Sequence, residues 1–247
     1  VRGEVAFKKK GKKDNDSQSM VIGFNTDLWE KWKGDEISNY FKRHEPPELY
    51  QRLSIRLFSE VKDDKGGNWM GSIEQSISES IQLSMTQNKA LPLFIMDIPR
   101  YEYLIRLSRG KTLTGHRYSF ALVPDKKWSY SNPDKVRFFS IQSKKVAMGL
   151  DFKVEELGGT MDEQVVAEID EKKFDAGGKW VIKIKDPSLE ENHVFKHVLI
   201  LFSCACKYLD DINENTQKLY KKLQEKDNYL DTITEELGFF KNPRYIR

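Results

Sequence analysis

The chain of 247 residues carries 41 lysines and arginines against 38 aspartates and glutamates, a net charge of +3, with 38% hydrophobic and 32% charged residues. That length fits one large or two modest domains, and the near balance of charge excludes a body that is itself a basic field for nucleic acid. No apolar run reaches the ~20 residues of a membrane-spanning helix, and the N-terminus lacks the apolar core of a secretory signal. Two cysteines make no disulfide framework, which predicts a reducing, intracellular setting and not a secreted one: cytoplasmic, nuclear, or mitochondrial after presequence removal. Val1 reads as the start of a processed or trimmed chain.

Residues 1–19 read as a basic, flexible arm. Residues 1–13 hold six basic side chains against one acid. Lys8, Lys9, Lys10, Lys12 and Lys13 attract phosphate on RNA, DNA or anionic lipid, or else form a solvated tail. A helix is predicted over residues 27–42, with Asp27 as N-cap and Leu28, Trp32, Ile37, Tyr40 and Phe41 as its apolar face; Pro46 and Pro47 stop it. Leu53, Ile55, Leu57 and Val61 then alternate with Arg56 and Glu60 as a half-buried strand, turned at Gly66 and Gly67. Residues 73–85 are ambiguous. Ile73, Ile77 and Ile81 recur at helical spacing while Ile81, Leu83 and Met85 alternate, and the strand is preferred. Residues 91–98, 101–108, 117–123 and 135–142 are short, rich in aromatic or branched side chains and bounded by Pro, Gly or Asn, so they read as strands. Residues 124–133 form a loop with Trp128 and Tyr130. Strands follow at 146–156, 164–174 and 179–185, reversed at Gly158–Gly159 and Gly177–Gly178.

Residues 193–212 are predicted as one helix. Val194, Phe195, Val198, Leu199, Leu201, Phe202, Ala205, Cys206, Leu209 and Ile212 cover well over half of its circumference, leaving Lys196, Ser203 and Lys207 on one narrow stripe. Such a helix must be enclosed by its own protein, either between two packed layers or inside a closed sheet. Cys204 and Cys206, two apart on it, point to opposite sides and cannot bridge each other.

Seven to nine short strands at near-regular spacing indicate an antiparallel meander, and a curled meander of that size tends to close. The expected fold class is α+β, mainly β. It is an antiparallel closed β-barrel over residues 20–212, wrapped on a central hydrophobic helix whose core is Val198, Leu199, Leu201, Phe202, Cys206 and Leu209, with additional N- and C-terminal helices. Residues 213–247 are a C-terminal extension. Within it, residues 213–237 form an amphipathic helix or helix pair with Leu219, Leu223, Leu230, Ile233 and Leu237 on one face, packing back on the barrel or docking a partner protein.

The run D151-F-K-V, then D162-E-Q-V-V-A-E-I with Lys172 and Lys173 just after, then W180-V-I-K-I, then V198-L-I-L-F-S-C-A-C-K-Y-L-D resembles the tubby-like superfamily, which includes the phospholipid scramblases, the LURP-one-related proteins and tubby itself. The resemblance covers about a quarter of the chain and implies a closed barrel around the apolar helix. It also implies a phosphoinositide pocket built on paired basic residues, for which Lys144, Lys145, Lys172 and Lys173 are the candidates. The chain departs from the scramblases at Asp175-Ala176-Gly177-Gly178, which lacks the second acid of their calcium segment, and it has no counterpart of their palmitoylated cysteine cluster or Pro-rich arm.

Few residues carry chemistry. His193, His197 and Cys204 share a helix face but supply three ligands where a structural zinc takes four. Glu60-Val61-Lys62, with Asp63 or Asp97, is an isolated nuclease-like triplet. His44 and His116 stand alone, and there is no dinucleotide, phosphate-loop or H-E-x-x-H motif. The expectation is therefore a non-enzymatic binding or scaffold protein with no cofactor, no metal and no small-molecule substrate. It would attach to an anionic phospholipid or phosphoinositide surface, or to a larger protein or RNA assembly. Loop aromatics beside lysines (Trp69, Trp128, Tyr130) suit bases, lipid interfaces and protein partners alike. The rival expectation is a nucleic-acid-associated protein or a structural subunit of a ribonucleoprotein or other multiprotein complex.

Overall fold

In β7 (Arg117–Leu122) every second side chain is buried: Tyr118, Phe120 and Leu122 point one way, and Arg117, Ser119 and Ala121 the other. This two-residue period, one face dry and one wet, builds the molecule. The structure, a computed structural model, describes residues 2–6, 17–24, 53–59, 68–110, 115–124, 136–144, 151–158, 164–172 and 179–224. The expected helix over 27–42 lies outside these residues. The strands are β1 (Arg2–Ala6), β2 (Ser17–Phe24), β3 (Ser54–Ser59), β4 (Trp69–Gln75), β5 (Leu93–Asp97), β6 (Ile105–Arg109), β7, β8 (Arg137–Ser143), β9 (Phe152–Leu157), β10 (Gln164–Lys172) and β11 (Lys179–Ile184). Helix α1 (Ile77–Gln87) follows β4, and α2 (Pro187–Glu190), α3 (His193–Cys206) and α4 (Leu209–Gln224) follow β11.

The strands form one antiparallel meander in chain order, β1 to β11. The expected closed barrel is not what forms. The sheet has two ends, and although Cα atoms of β1 and β11 come within 8 Å, no ladder joins them among the described residues. With an odd number of strands the two edges run in the same direction, so the antiparallel hydrogen-bond pattern cannot continue across the seam. The closure that the family resemblance implies is therefore absent among the described residues. Edge strand β11 carries Lys183 and is followed by Lys185, a charge pattern that discourages further strand pairing.

The sheet curls around α3. Phe195 packs on Phe139 of β8 at 5.1 Å between ring centres, Phe202 meets Tyr118 of β7 at 5.3 Å and Phe152 of β9 at 5.1 Å, and Leu201 reaches Gly71 of β4. Gly71 has φ +145, and a Cβ there would sit 3.1 Å from the Asp97 carbonyl and 3.3 Å from Leu201, so glycine permits the close approach of strand and helix. Asn192 caps α3 by accepting from the Phe195 N–H at 2.9 Å. At this end of the sheet Arg137 forks onto the Glu156 carboxylate through Nε and Nη2, both at 2.7 Å, and reaches Asp186 at 3.1 Å.

Two expectations change in detail. The predicted helix over 193–212 ends at Cys206, where the Tyr208 N–H turns back to the Ala205 carbonyl at 2.9 Å. Asp210 and Asp211 then occupy the first turn of α4, where the helix dipole favours acids, while Leu209 and Ile212 stay in the same core. Residues 77–87, read as strand, are helix α1. Ser80 and Ser84 accept the N–H groups of Leu93 and Leu91, each at 2.8 Å, stitching α1 to β5, and Asn88 ends it in the left-handed conformation. Helices α1 and α4 share a small second core of Ile77, Ile81, Leu219 and Tyr220. Among the described residues no helix is long and apolar enough to cross a membrane.

Phe202, held edge-on by two aromatic rings, is the test of this core. Phe202→Ala is expected to cost about 3–5 kcal/mol, read as a lowered urea midpoint. A loss below about 1 kcal/mol would mean that the helix is not enclosed.

Candidate functional site

Beyond packing α3, the sheet presents a second face. Register fixes what lies on it. Leu122 of β7 pairs with Arg137 of β8, so the next step outward aligns Val123 with Val136. The Tyr101 hydroxyl clamps the β5–β6 connection to that same point, accepting from the Val123 N–H at 2.7 Å and donating to its carbonyl at 2.9 Å. Leu104 ends the connection, one step before inward-facing Ile105. A second row crosses β7, β8 and β9 at Ala121, Phe138 and Leu157. These side chains alternate with Leu122, Phe139 and Ile105 of the core and so point outward. Leu104 is 61% exposed, Phe138 51%, and Val136 and Tyr103 43% each. Four large apolar side chains are thus exposed, two just before β6 (Tyr103, Leu104) and two at the start of β8 (Val136, Phe138), at the same end of the sheet as exposed Trp69.

Beside this patch the outer face is ionic. Lys144 donates to Asp170 at 3.0 Å and lies 3.7 Å from Glu168; Lys183 reaches Asp170 at 2.8 Å, Lys185 reaches Glu168 at 2.7 Å, and Lys153 pairs with Glu155. The hydrogen bond from Lys185 leads the causes that hold Glu168 below the usual carboxylate range. Burial alone would raise Asp170, but the bonds from Lys183 and Lys144 outweigh it and hold it low. Both acids are therefore carboxylates at neutral pH, and the lysines are occupied.

The phosphate-binding candidates fare unevenly. Lys144 follows β8 and Lys172 ends β10, so the fold brings them to one end of the sheet on either side of β9, but Lys144 is held by two carboxylates. The Lys172 side chain and Lys8, Lys9, Lys10, Lys12, Lys13, Lys145 and Lys173 lie outside the described residues, as do Asp175–Gly178 and Glu60–Lys62. The core residues Val198, Leu199, Leu201, Phe202, Cys206 and Leu209 are all buried. Burial pushes the Cys204 thiol up to about 12 and that of Cys206 well above its usual value, so both stay protonated and poor as ligands or nucleophiles.

Sequence reading missed a polar cluster at the C-terminal end of α3. His116 and Tyr118 lie on the core-facing side of β7, their rings parallel at 6.4 Å. The His116 N–H donates to Ser143 Oγ at 2.8 Å, and Arg109 bonds to Asn213 of α4. The Tyr118 hydroxyl is wholly buried and, like His116 Nδ1, has no hydrogen-bond partner among the described residues. Burial, then the Arg109 cation, lowers the His116 pKa against the pull of Asp210, and burial raises that of Tyr118. The available signal was alternation itself: 116, 118, 120 and 122 share one face, so two polar residues had to face the core.

No protein-family model, curated protein or solved structure matches the chain.

An unsatisfied buried hydroxyl costs about 1–3 kcal/mol. Tyr118→Phe is therefore expected to raise unfolding stability in urea at pH 7 by on the order of 1 kcal/mol. A drop of similar size would show that a water or a bound group completes this cluster.

Proposed function

We propose that the chain is a non-enzymatic binding protein that takes its place in a larger assembly by docking a partner protein on the outer face of β6–β9. The observation that carries this reading is the outward pair of apolar rows, Leu104–Val123–Val136 and Ala121–Phe138–Leu157. Single exposed apolar side chains are ordinary; grouped on one face, they mark a contact. The exposed members, Leu104, Val136 and Phe138, lie outside the buried core, as does neighbouring Tyr103. Phe138 and Tyr103 are the aromatic anchors that protein interfaces favour at their centre.

The neighbouring charges favour a protein over phosphate. Anionic lipid and RNA are drawn by cations whose field is free. Lys144, Lys153, Lys183 and Lys185 spend theirs on Glu155, Glu168 and Asp170. A polar rim of satisfied ion pairs beside an apolar centre is instead the ordinary anatomy of a protein interface.

A photo-crosslinking side chain at Phe138, with one at Lys183 as control, tests the reading in the cells that make the protein. One discrete protein adduct is expected at 138 and none at 183. Leu104→Asp should weaken the isolated complex by ~2 kcal/mol, roughly 30-fold in Kd, without lowering the Tm of the free chain. Identical adducts at both positions would overturn the proposal, and so would pelleting with phosphatidylserine vesicles that Leu104→Asp abolishes.

A further inference from the structure

Helix α4 is anchored in two places that belong to different cores. Leu209 and Ile212, in its first turn, pack in the large core around α3, whereas Leu219 and Tyr220, further along, pack with Ile77 and Ile81 of α1. Between these anchorages the ties are polar. The Asn213 side-chain carbonyl accepts from the Arg109 guanidinium, and Gln75 Nε2 donates to Thr216 Oγ1 at 3.0 Å. Beyond them the Tyr220 hydroxyl donates to the side-chain carbonyl of Asn88, the residue that ends α1, at 2.9 Å.

Each of the two helices depends on the other. Helix α1 has 11 residues, and the part of α4 past Ile212 runs only from 213 to 224. Isolated helices shorter than ~12–15 residues are marginal in water, so both draw their stability from the apolar faces they turn to each other. The polar ties add little, because water replaces both partners when they break. Strands β7, β8 and β9 are placed differently. Each is hydrogen-bonded on both sides, to β6 and β8, to β7 and β9, and to β8 and β10, so none can be released without parting the sheet.

We infer that residues 213–224 are a strap that undocks with Ile212 as its pivot, loosening α1 in the same step and leaving α3 and the sheet closed. Once undocked, the segment is too short to hold its helix, and Ile77 and Ile81 lose their cover together. Ser80 and Ser84 keep α1 stitched to the N–H groups of Leu93 and Leu91, so α4 is the end that leaves. The open form presents a surface that the closed form does not have: two bare isoleucines, and Arg109 released from Asn213 beside Tyr118, its partner strand's neighbour in β7. Arg109 ends β6 whereas Leu104 immediately precedes that strand, so the strap and the docking patch lie at its opposite ends. The strap does not rest on the function proposed above.

Amide hydrogen exchange of the full chain at pH 7, in urea below the unfolding midpoint, reads the opening directly. Amides of 77–87 and 217–224 should share one opening constant, at least roughly tenfold above that of β7–β9. Leu219→Ala should speed exchange in both helices on the order of 30-fold and leave β7–β9 unchanged. Tyr220→Phe, which keeps the ring and removes only the bond to Asn88, should speed both about fivefold. The coupling must also run backwards, so Ile81→Ala should raise exchange at 217–224 as much as at 77–87. Exchange of 217–224 at the rate of β7–β9 in the unaltered chain overturns the strap. So does an Ile81→Ala variant whose 217–224 amides do not respond, or a Leu219→Ala variant that speeds β7–β9 equally.

Discussion

A helix of 14 residues whose Val194, Phe195, Val198, Leu199, Ile200, Leu201 and Phe202 are all buried needs cover on every side. At about 1.5–3 kcal/mol for each large side chain taken out of water, seven of them amount to more than 10 kcal/mol, the size of a whole domain's net stability. The sheet supplies that cover by curvature. Strands from β3 to β11 direct their core-facing side chains at one rod, so a strand that flattened would expose the helix as well as itself. That demand explains why glycine stands at position 71, where the Leu201 side chain comes up against the strand.

Enclosing a helix along its length leaves its ends as the difficult places. The first N–H groups and last carbonyls have no partner within the helix, and the surrounding rings cannot bond to them. Polar residues gather there accordingly. At one end are Asn192, the His193–His197 pair and the Arg137–Glu156–Asp186 cluster; at the other are Arg109, His116, Tyr118, Ser143 and Asn213. These are the places in the core region where titratable groups meet low polarity, and the pKa values displaced by burial (His193, His197, His116, Tyr118) are found at them.

Period-two alternation made β3 and β5–β11 legible in the sequence, and the near absence of a polar face marked α3 as interior. Closure was not legible. Nothing in the periodicity of a strand says whether the first and last of a meander pair, and strand parity becomes visible only once β1 and β2 are counted. At residues 73–85 the isoleucine spacing runs through a boundary, with Ile73 in a strand and Ile77 and Ile81 in a helix, the change falling at Ser76. The C-terminal limit of α3 was hidden because Leu209 and Ile212 keep its apolar phase although the axis has broken at Lys207. The outer patch was hidden for a different reason. Phe138 and Phe139 are adjacent and equally apolar, and only the register with Ala121 and Phe120 shows which of the two faces solvent.

That last ambiguity bears on function. In a sheet with one dry face, the inward set is fixed by stability, so its composition reports folding and little else. The outward set is free to be polar, and on β9–β11 it is: Lys153 pairs with Glu155 along β9, while Lys183 pairs with Asp170 and Lys185 with Glu168 between the β10 and β11 segments. On β6–β8 it instead carries Leu104, Val136 and Phe138, apolar side chains left in large part exposed. In the function proposed above, the ionic half is satisfied by its own pairs and the apolar half meets a partner's side chains.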